Sequence, residues 1–303
     1  MRVAVTGATG TLGAALVPAL LDRGDSVVAL SRDPARARER LGAGVEAVAW
    51  PDPKAQAAPT AAFIGVDAVV HLLGEPVAQR WTDSAREEIR ESRVAGTRNL
   101  VDALRGGDPR PRALISQSAI GYYGAHGDEP VDERTPAGAD FLASVVVAWE
   151  AEARRAEELG MRVALMRTGV VLSGSGGALE KMLPPFKLGV GGPVAGGRQY
   201  VPWVHSDDVV GSIVFALDTD AACGPLNVTA PEPVTNRELS KTLGRVLRRP
   251  ALAPVPALAL KLLYGEMGSI VTTGARAVPR RLEELGYEFR RPDLEDALRA
   301  AVG

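Results

Sequence analysis

The chain is poor in the residues that staple small proteins or bind soft metals. One cysteine, Cys223, stands among 303 residues, so no disulfide can close within the chain and no thiolate-rich metal site can form. The three histidines, His71, His126 and His205, are scattered and lack metal-ligand spacing, so no metal is expected. Neither charge sign is in excess: 35 Lys and Arg against 37 Asp and Glu leave a net charge of −2. With no basic surplus and no Lys/Arg run, nothing marks a nucleic-acid partner. No apolar stretch approaches the roughly 20 residues of a membrane-spanning helix. A basic start followed by a long apolar run, the mark of a secretory signal, is missing too. The lone cysteine fits a reducing compartment, and the expectation is a cytoplasmic protein.

What is present is an alternation. Short apolar runs at 2–6, 26–31, 45–49, 67–72, 113–117 and 162–167 read as strands. Between them, 11–23, 34–41, 83–104 and 140–159 read as helices, with Ser84 and Glu87 placed as a capping box. Continuous apolar strands separated by helices predict a parallel sheet covered on both faces. Right-handed crossovers then make it a Rossmann-type, doubly wound α/β sheet. After about residue 170, glycine, proline and single aromatics replace the regular pattern. A short strand at Leu226-Asn227-Val228, a capping box at Thr235 and Glu238, and helices at 236–247, 256–263, 279–285 and 293–301 predict a small, mainly helical C-terminal lobe. The expected division is a nucleotide-binding domain over 1–170, to which about 200–230 return, and a substrate lobe over 171–303.

Thr6-Gly7-Ala8-Thr9-Gly10-Thr11-Leu12-Gly13 places three glycines three apart, directly after a strand and before a helix. Gly7 suits the tight turn, Gly10 the close approach of backbone to a pyrophosphate, and Gly13 the packing of helix on sheet. The backbone around Thr9, Thr11 and Leu12 would then offer free amides to the anion. A plain structural turn is the competing explanation. The end of the second strand reads Leu30-Ser31-Arg32-Asp33, where NAD enzymes usually carry an acid for the ribose hydroxyl. Ser31 and Arg32 suit a 2′-phosphate, with Arg36 one turn on, and point to NADP; Asp33 on the ribose would give NAD instead. Leu72, Leu73, Gly74 and Glu75 follow the fourth strand and are expected along the crevice, with Arg80 either beside it or in solvent.

Several segments together carry a family resemblance. They are the glycine loop, Glu91 to Arg98 (ESRVAGTR), Ser118-Ala119-Ile120-Gly121-Tyr122-Tyr123-Gly124, Arg167 to Leu172 (RTGVVL), Gly191-Gly192-Pro193, Gln199 to His205 (QYVPWVH), Asn227 to Pro231 (NVTAP), and the tail from Pro250 through Leu282. The chain resembles the atypical extended short-chain dehydrogenase/reductases, in the branch of epimerase-family proteins ending in a C-terminal domain of unknown function. The resemblance implies an NADP-binding, oxidoreductase or nucleotide-sugar-epimerase-like scaffold with Arg93 and Arg167 near the cofactor. It matches Ser118 to the serine that holds a substrate oxygen. The wider superfamily adds a Tyr and a Lys four apart on one helix, the lysine lowering the tyrosine pKa. Aligned on Glu150, those positions hold Leu142 and Val146, and no tyrosine here is followed by lysine at that spacing. Tyr122 or Tyr123 is left as the substitute, or one packs and the other bonds structurally. Trp203 and His205 are expected on the substrate side, with a backbone-bonded histidine as the alternative. The glycine-rich 191–197 suggests a mobile flap. Two functions remain open: an enzyme acting on an unidentified small molecule, and a non-catalytic NADP(H)-binding sensor.

Overall fold

The computed structural model describes residues 1–107, 109–174, 176–258, 260 and 265–303. Seven strands form one sheet: β1 (Arg2–Thr6), β2 (Ser26–Ser31), β3 (Val45–Ala49), β4 (Ala68–His71), β5 (Ala113–Ala119), β6 (Arg162–Thr168) and β7 (Gly224–Val228). Their spatial order is β3-β2-β1-β4-β5-β6-β7, and every pairing is parallel. The Leu226-Asn227-Val228 run is thus the edge of the main sheet, within the 200–230 segment expected to return to it.

The period of two sorts each strand between two apolar layers. Val3 and Val5 enter one core cluster and Ala4 the other; Ala68 and Val70 oppose Val69, and Ala113 and Ile115 oppose Leu114. One face is covered by α1 (Thr11–Asp22) and α6 (Ser206–Asp218), the other by α3 (Asp83–Leu104) and α4 (Phe141–Arg154). α2 (Pro34–Leu41) closes the β3 edge. A third cluster, built on Leu179, Trp203, Leu239, Leu243 and Leu298, belongs to the C-terminal region. There α5 (Gly177–Lys187), α7 (Asn236–Val246) and α8 (Leu294–Val302) meet. Asp208 of α6 ties the tail down by accepting from the Arg290 and Arg291 amides at 2.6 and 2.9 Å.

Several local expectations need correction. α3 starts on Thr82, whose side chain accepts from the Ala85 amide, so the box expected at Ser84 and Glu87 does not form. α4 ends at Arg154, with a separate turn at Glu157–Leu159. The box at Thr235 and Glu238 does cap α7. The helix expected over 256–263 falls in part on 259 and 261–263, outside the described residues. The 191–197 loop is packed rather than free. The Asn236 side chain accepts from the Val194 amide, Arg237 donates to the Gly196 carbonyl, and Ala195 bonds to Val255. No helix among the described residues is long and apolar enough to cross a membrane.

Candidate functional site

The strand order reverses between β1 and β4, which opens a crevice at their carboxyl ends. Register aligns Thr6 with both Leu30 and His71, so the loops after β1, β2 and β4 emerge side by side. Gly7 has φ +68°, and a Cβ there would lie 2.8 Å from the Leu72 carbonyl oxygen. A Cβ on Gly13 would lie 2.4 Å from the Gly7 carbonyl oxygen. These two glycines hold loop, helix and β4 at a spacing no side chain allows. α1 then begins at Gly10 with no side-chain cap, whereas α2, α3, α4, α6, α7 and α8 all start on one. The first amides of α1, around Thr11 and Leu12, are left for an anion, while Thr9 lies in the turn before them. α5 also lacks a cap, and a Cβ on its Gly176 would sit 3.0 Å from Thr11 Oγ1. The cradle fits a pyrophosphate.

At the β2 end, the Ser31 hydroxyl donates to the Asp33 carbonyl at 3.0 Å and accepts from the Asp33 amide at 3.2 Å. The Asp33 carboxylate accepts from the Arg36 amide at 3.0 Å and caps α2. The side chains of Arg32 and Arg36 are exposed and make no ion pair among the described residues. One oxygen of the acid caps a helix, while both cations stand exposed without an ion pair among the described residues, which fits a phosphate better than a ribose hydroxyl.

His71 joins the two crevice strands from beneath. Its Nδ1 lies 2.8 Å from Thr6 Oγ1 and its Nε2 2.9 Å from Thr97 Oγ1, all three residues fully buried. Burial lowers the His71 pKa to about 3, so the ring is neutral at physiological pH. A folded pKa below the unfolded value of about 6.5 gives stability that is present above pH 6.5 and lost as the pH falls toward 3. Urea unfolding at about pH 5 and about pH 7 should therefore differ by about 2 kcal/mol from this residue alone. His71→Gln should reduce the pH difference by that amount; an unchanged difference would show that His71 is not held neutral.

After β4, Leu72 and Leu73 lead to Gly74 and Glu75. Arg93 braces this turn from α3: it donates to the Glu75 and Ile89 carbonyls at 3.0 and 3.1 Å and lies 5.3 Å from the Trp149 ring centroid. Burial lowers it to about 10, so it stays charged at neutral pH. Arg80 is near the turn in sequence but exposed, without an ion pair among the described residues.

Past β5 the structure assembles a buried polar network that sequence reasoning only half anticipated. Arg167, at the end of β6, meets Glu150 of α4 with two contacts of 2.8 Å. Burial lowers the Arg167 pKa, but the carboxylate outweighs it and holds the guanidinium above its usual range. Ser118 donates to Glu150 Oε1 at 2.6 Å. Arg167 also donates to the Tyr123 hydroxyl at 3.1 Å, and Tyr123 donates to Asn227 of β7 at 2.7 Å. Burial pushes Tyr123 up to about 12. Two expectations change here and one is decided. Ser118 and Tyr123, expected at the reaction centre, are buried with their hydroxyls committed. Arg167, open between the cofactor or substrate side and a nearby carboxylate, pairs with the carboxylate. Tyr122 is different: it is part-exposed, its hydroxyl has no partner among the described residues, and its ring lies under Arg167 at 3.4 Å. Asn227 and Glu150 were missed as network members; a glutamate amid the apolar face of α4 is the signal that marks one of them.

The two residues expected on the substrate side are both buried. Trp203 is a core residue of the C-terminal cluster, its indole donating to the Glu232 carbonyl at 3.2 Å. His205 is buried and caps α6, its Nδ1 accepting from the Asp207 amide at 3.1 Å, which is the backbone-bonded alternative. Burial lowers its pKa. Among the described residues no group of His, Cys, Asp and Glu is arranged to hold a metal ion.

A cleft of about 210 Å³ opens between the turn after β5, the start of α4 and the C-terminal segment 266–275. Leu142 lines it, while Val146 one turn on is buried.

Comparison with known proteins agrees with this architecture. Residues 3–228 match the model of the NAD dependent epimerase/dehydratase family, and 255–301 match a domain of unknown function, DUF1731. An Arabidopsis thaliana protein named "Epimerase family protein SDR39U1 homolog, chloroplastic" is 40% identical over 100% of this chain and 87% of its own length. A crystal structure of the human epimerase family protein SDR39U1 (isoform 2), with NADPH, superposes with a TM-score of 0.88 at 34% identity, covering 100% of this chain and 99% of that one. The UDP-glucuronic acid 4-epimerase of Bacillus cereus, in complex with NAD, shares the fold alone, at 17% identity, a TM-score of 0.80 and coverage of 100% and 96%. The chain belongs to the NAD dependent epimerase/dehydratase family and carries a DUF1731 domain at its C-terminal end.

Proposed function

We propose that the chain binds NADP(H) across the β1/β4 crevice and acts as an epimerase-like oxidoreductase on a small molecule held beside Leu142, without the usual Tyr/Lys pair. The observation that carries the cofactor choice is the exposed pair Arg32 and Arg36 at the end of β2, without an ion pair among the described residues. The human relative crystallised with NADPH supports the same choice. When bound, NADP(H) supplies a hydride donor or acceptor. The chain's own part is to seat the pyrophosphate on the first turn of α1, hold the 2′-phosphate with Arg32, and keep the turn after β4 in place with Arg93. Tyr122 carries the hydroxyl free to give or take a proton, its ring held by Arg167. The substrate side is assigned to the C-terminal lobe from 171 on, apart from the segments that return to the main sheet, and the setting to the cytoplasm.

Arg32→Glu should weaken NADPH binding by roughly 10- to 100-fold, the worth of one charge-assisted contact, and leave NADH binding nearly unchanged in parallel calorimetric titrations. Equal losses for both cofactors would remove Arg32 from the 2′-phosphate.

A second reading, a non-catalytic NADP(H) sensor, is favoured by one observation: Leu142 and Val146 are apolar, and the Ser118 and Tyr123 hydroxyls are committed. Loss of NADPH absorbance over a broad carbonyl panel, abolished by Tyr122→Phe, supports the enzyme. Tight binding without turnover supports the sensor.

A further inference from the structure

We propose that the 210 Å³ cleft takes a neutral, largely apolar small molecule with a hydroxyl or similar donor, and does not take a nucleoside-diphosphate sugar. The inference deepens the proposed function, because it rests on Leu142 marking the reaction side of the cofactor.

Three features of the cleft converge. The first is size: about 210 Å³ is below the roughly 300–1,000 Å³ of pockets that enclose drug-sized ligands. The second is the wall. Trp81, Ile120, Phe141, Leu142 and Ile270 supply apolar surface, with Trp81 and Phe141 edge to face at 5.1 Å between centroids. The third is charge. The lining holds two carboxylates, Asp140 and Glu266, and no Lys or Arg. The nearby cation, Arg86, is already paired with Glu266 and lies over the Trp81 and Phe141 rings at 5.8 and 5.0 Å. A diphosphate needs cations or converging amides to replace its hydration, and here it would face carboxylates instead. Asp140 spends Oδ1 on the Ala143 amide at 2.9 Å, which leaves Oδ2 without a partner among the described residues. That oxygen accepts from a donor and repels an anion.

The test is ligand-observed saturation-transfer NMR on the full chain, with and without NADPH, using cyclohexanol, benzyl alcohol and UDP-glucose as probes. The two alcohols should give signals that fall about tenfold in Ile270→Asp, a change on an exposed side chain, and in Leu142→Asp. UDP-glucose should give no signal that depends on either variant. A UDP-glucose signal lost in Ile270→Asp would overturn the proposal. So would alcohol signals that are absent in the wild type, or unchanged in both variants while thermal unfolding shows them folded. NADPH binding is titrated separately, so a chain that fails to bind NADPH sinks the cofactor reading while the alcohol signals still report on the cleft.

Discussion

Replacing Arg167 with methionine is expected to destabilise the chain by about 3–5 kcal/mol, the largest single effect in the molecule. The reason is asymmetry. The pair is almost fully desolvated, with side-chain exposures of 3% for Arg167 and 6% for Glu150. Removing Arg167 leaves the Glu150 charge buried among apolar neighbours and takes one partner from the Tyr123 hydroxyl, while Ser118 keeps its bond to Glu150. Removing both charges is gentler, because well-packed apolar residues can replace a buried ion pair at little cost. Arg167→Met with Glu150→Leu should therefore regain much of the loss. Urea unfolding of the wild type, both singles and the double variant closes the cycle. A single-variant loss under about 1 kcal/mol, the level of an exposed pair, would show that the network is not what holds β5, β6 and α4 together.

The second large effect is expected at Gly13. A Cβ there would meet the Gly7 oxygen at 2.4 Å and two Ala8 backbone atoms at 2.6 Å. Backbone cannot swing aside as a long side chain can. Gly13→Ala must push α1 off the sheet or distort the loop, at about 1–3 kcal/mol. The same displacement moves the first-turn amides of α1 away from the anion they would seat. NADPH affinity should drop by a hundredfold or more, equivalent to at least about 2.8 kcal/mol, in calorimetric titration of the folded variant. Gly24→Ala is the control: its Cβ would meet nothing within 4 Å, so only the local φ of +84° is strained. It should leave the affinity intact. Comparable losses at both positions would mean that general destabilisation, not loop geometry, sets binding.

What could be read from the sequence follows physical range. The first six strands and the four helices between them were legible because each carries its own period and punctuation. The glycine loop was legible because its spacing meets a local steric demand. β7 was read as a strand within the segment expected to return to the main sheet, but Leu226-Asn227-Val228 holds no sign of which sheet edge it joins. The networks were harder. Ser118 was singled out by its place after β5, but its commitment to Glu150 depends on two elements 32 residues apart meeting at 2.6 Å. The same holds for Trp203 and His205. Aromatic and polar residues at a strand end serve a core as readily as a site, and only the burial of this one decides between them. The cleft was the least legible part, because Glu266 and Ile270 are brought to Leu142 by the folding back of the tail.

The central claim is that the β1/β4 crevice is built for the phosphorylated cofactor. Paired calorimetric titration of NADPH and NADH into the unaltered chain tests it most directly. The account predicts NADPH to bind about tenfold or more tightly, the worth of one charge-assisted phosphate contact. NADH binding as well as or better than NADPH would contradict it.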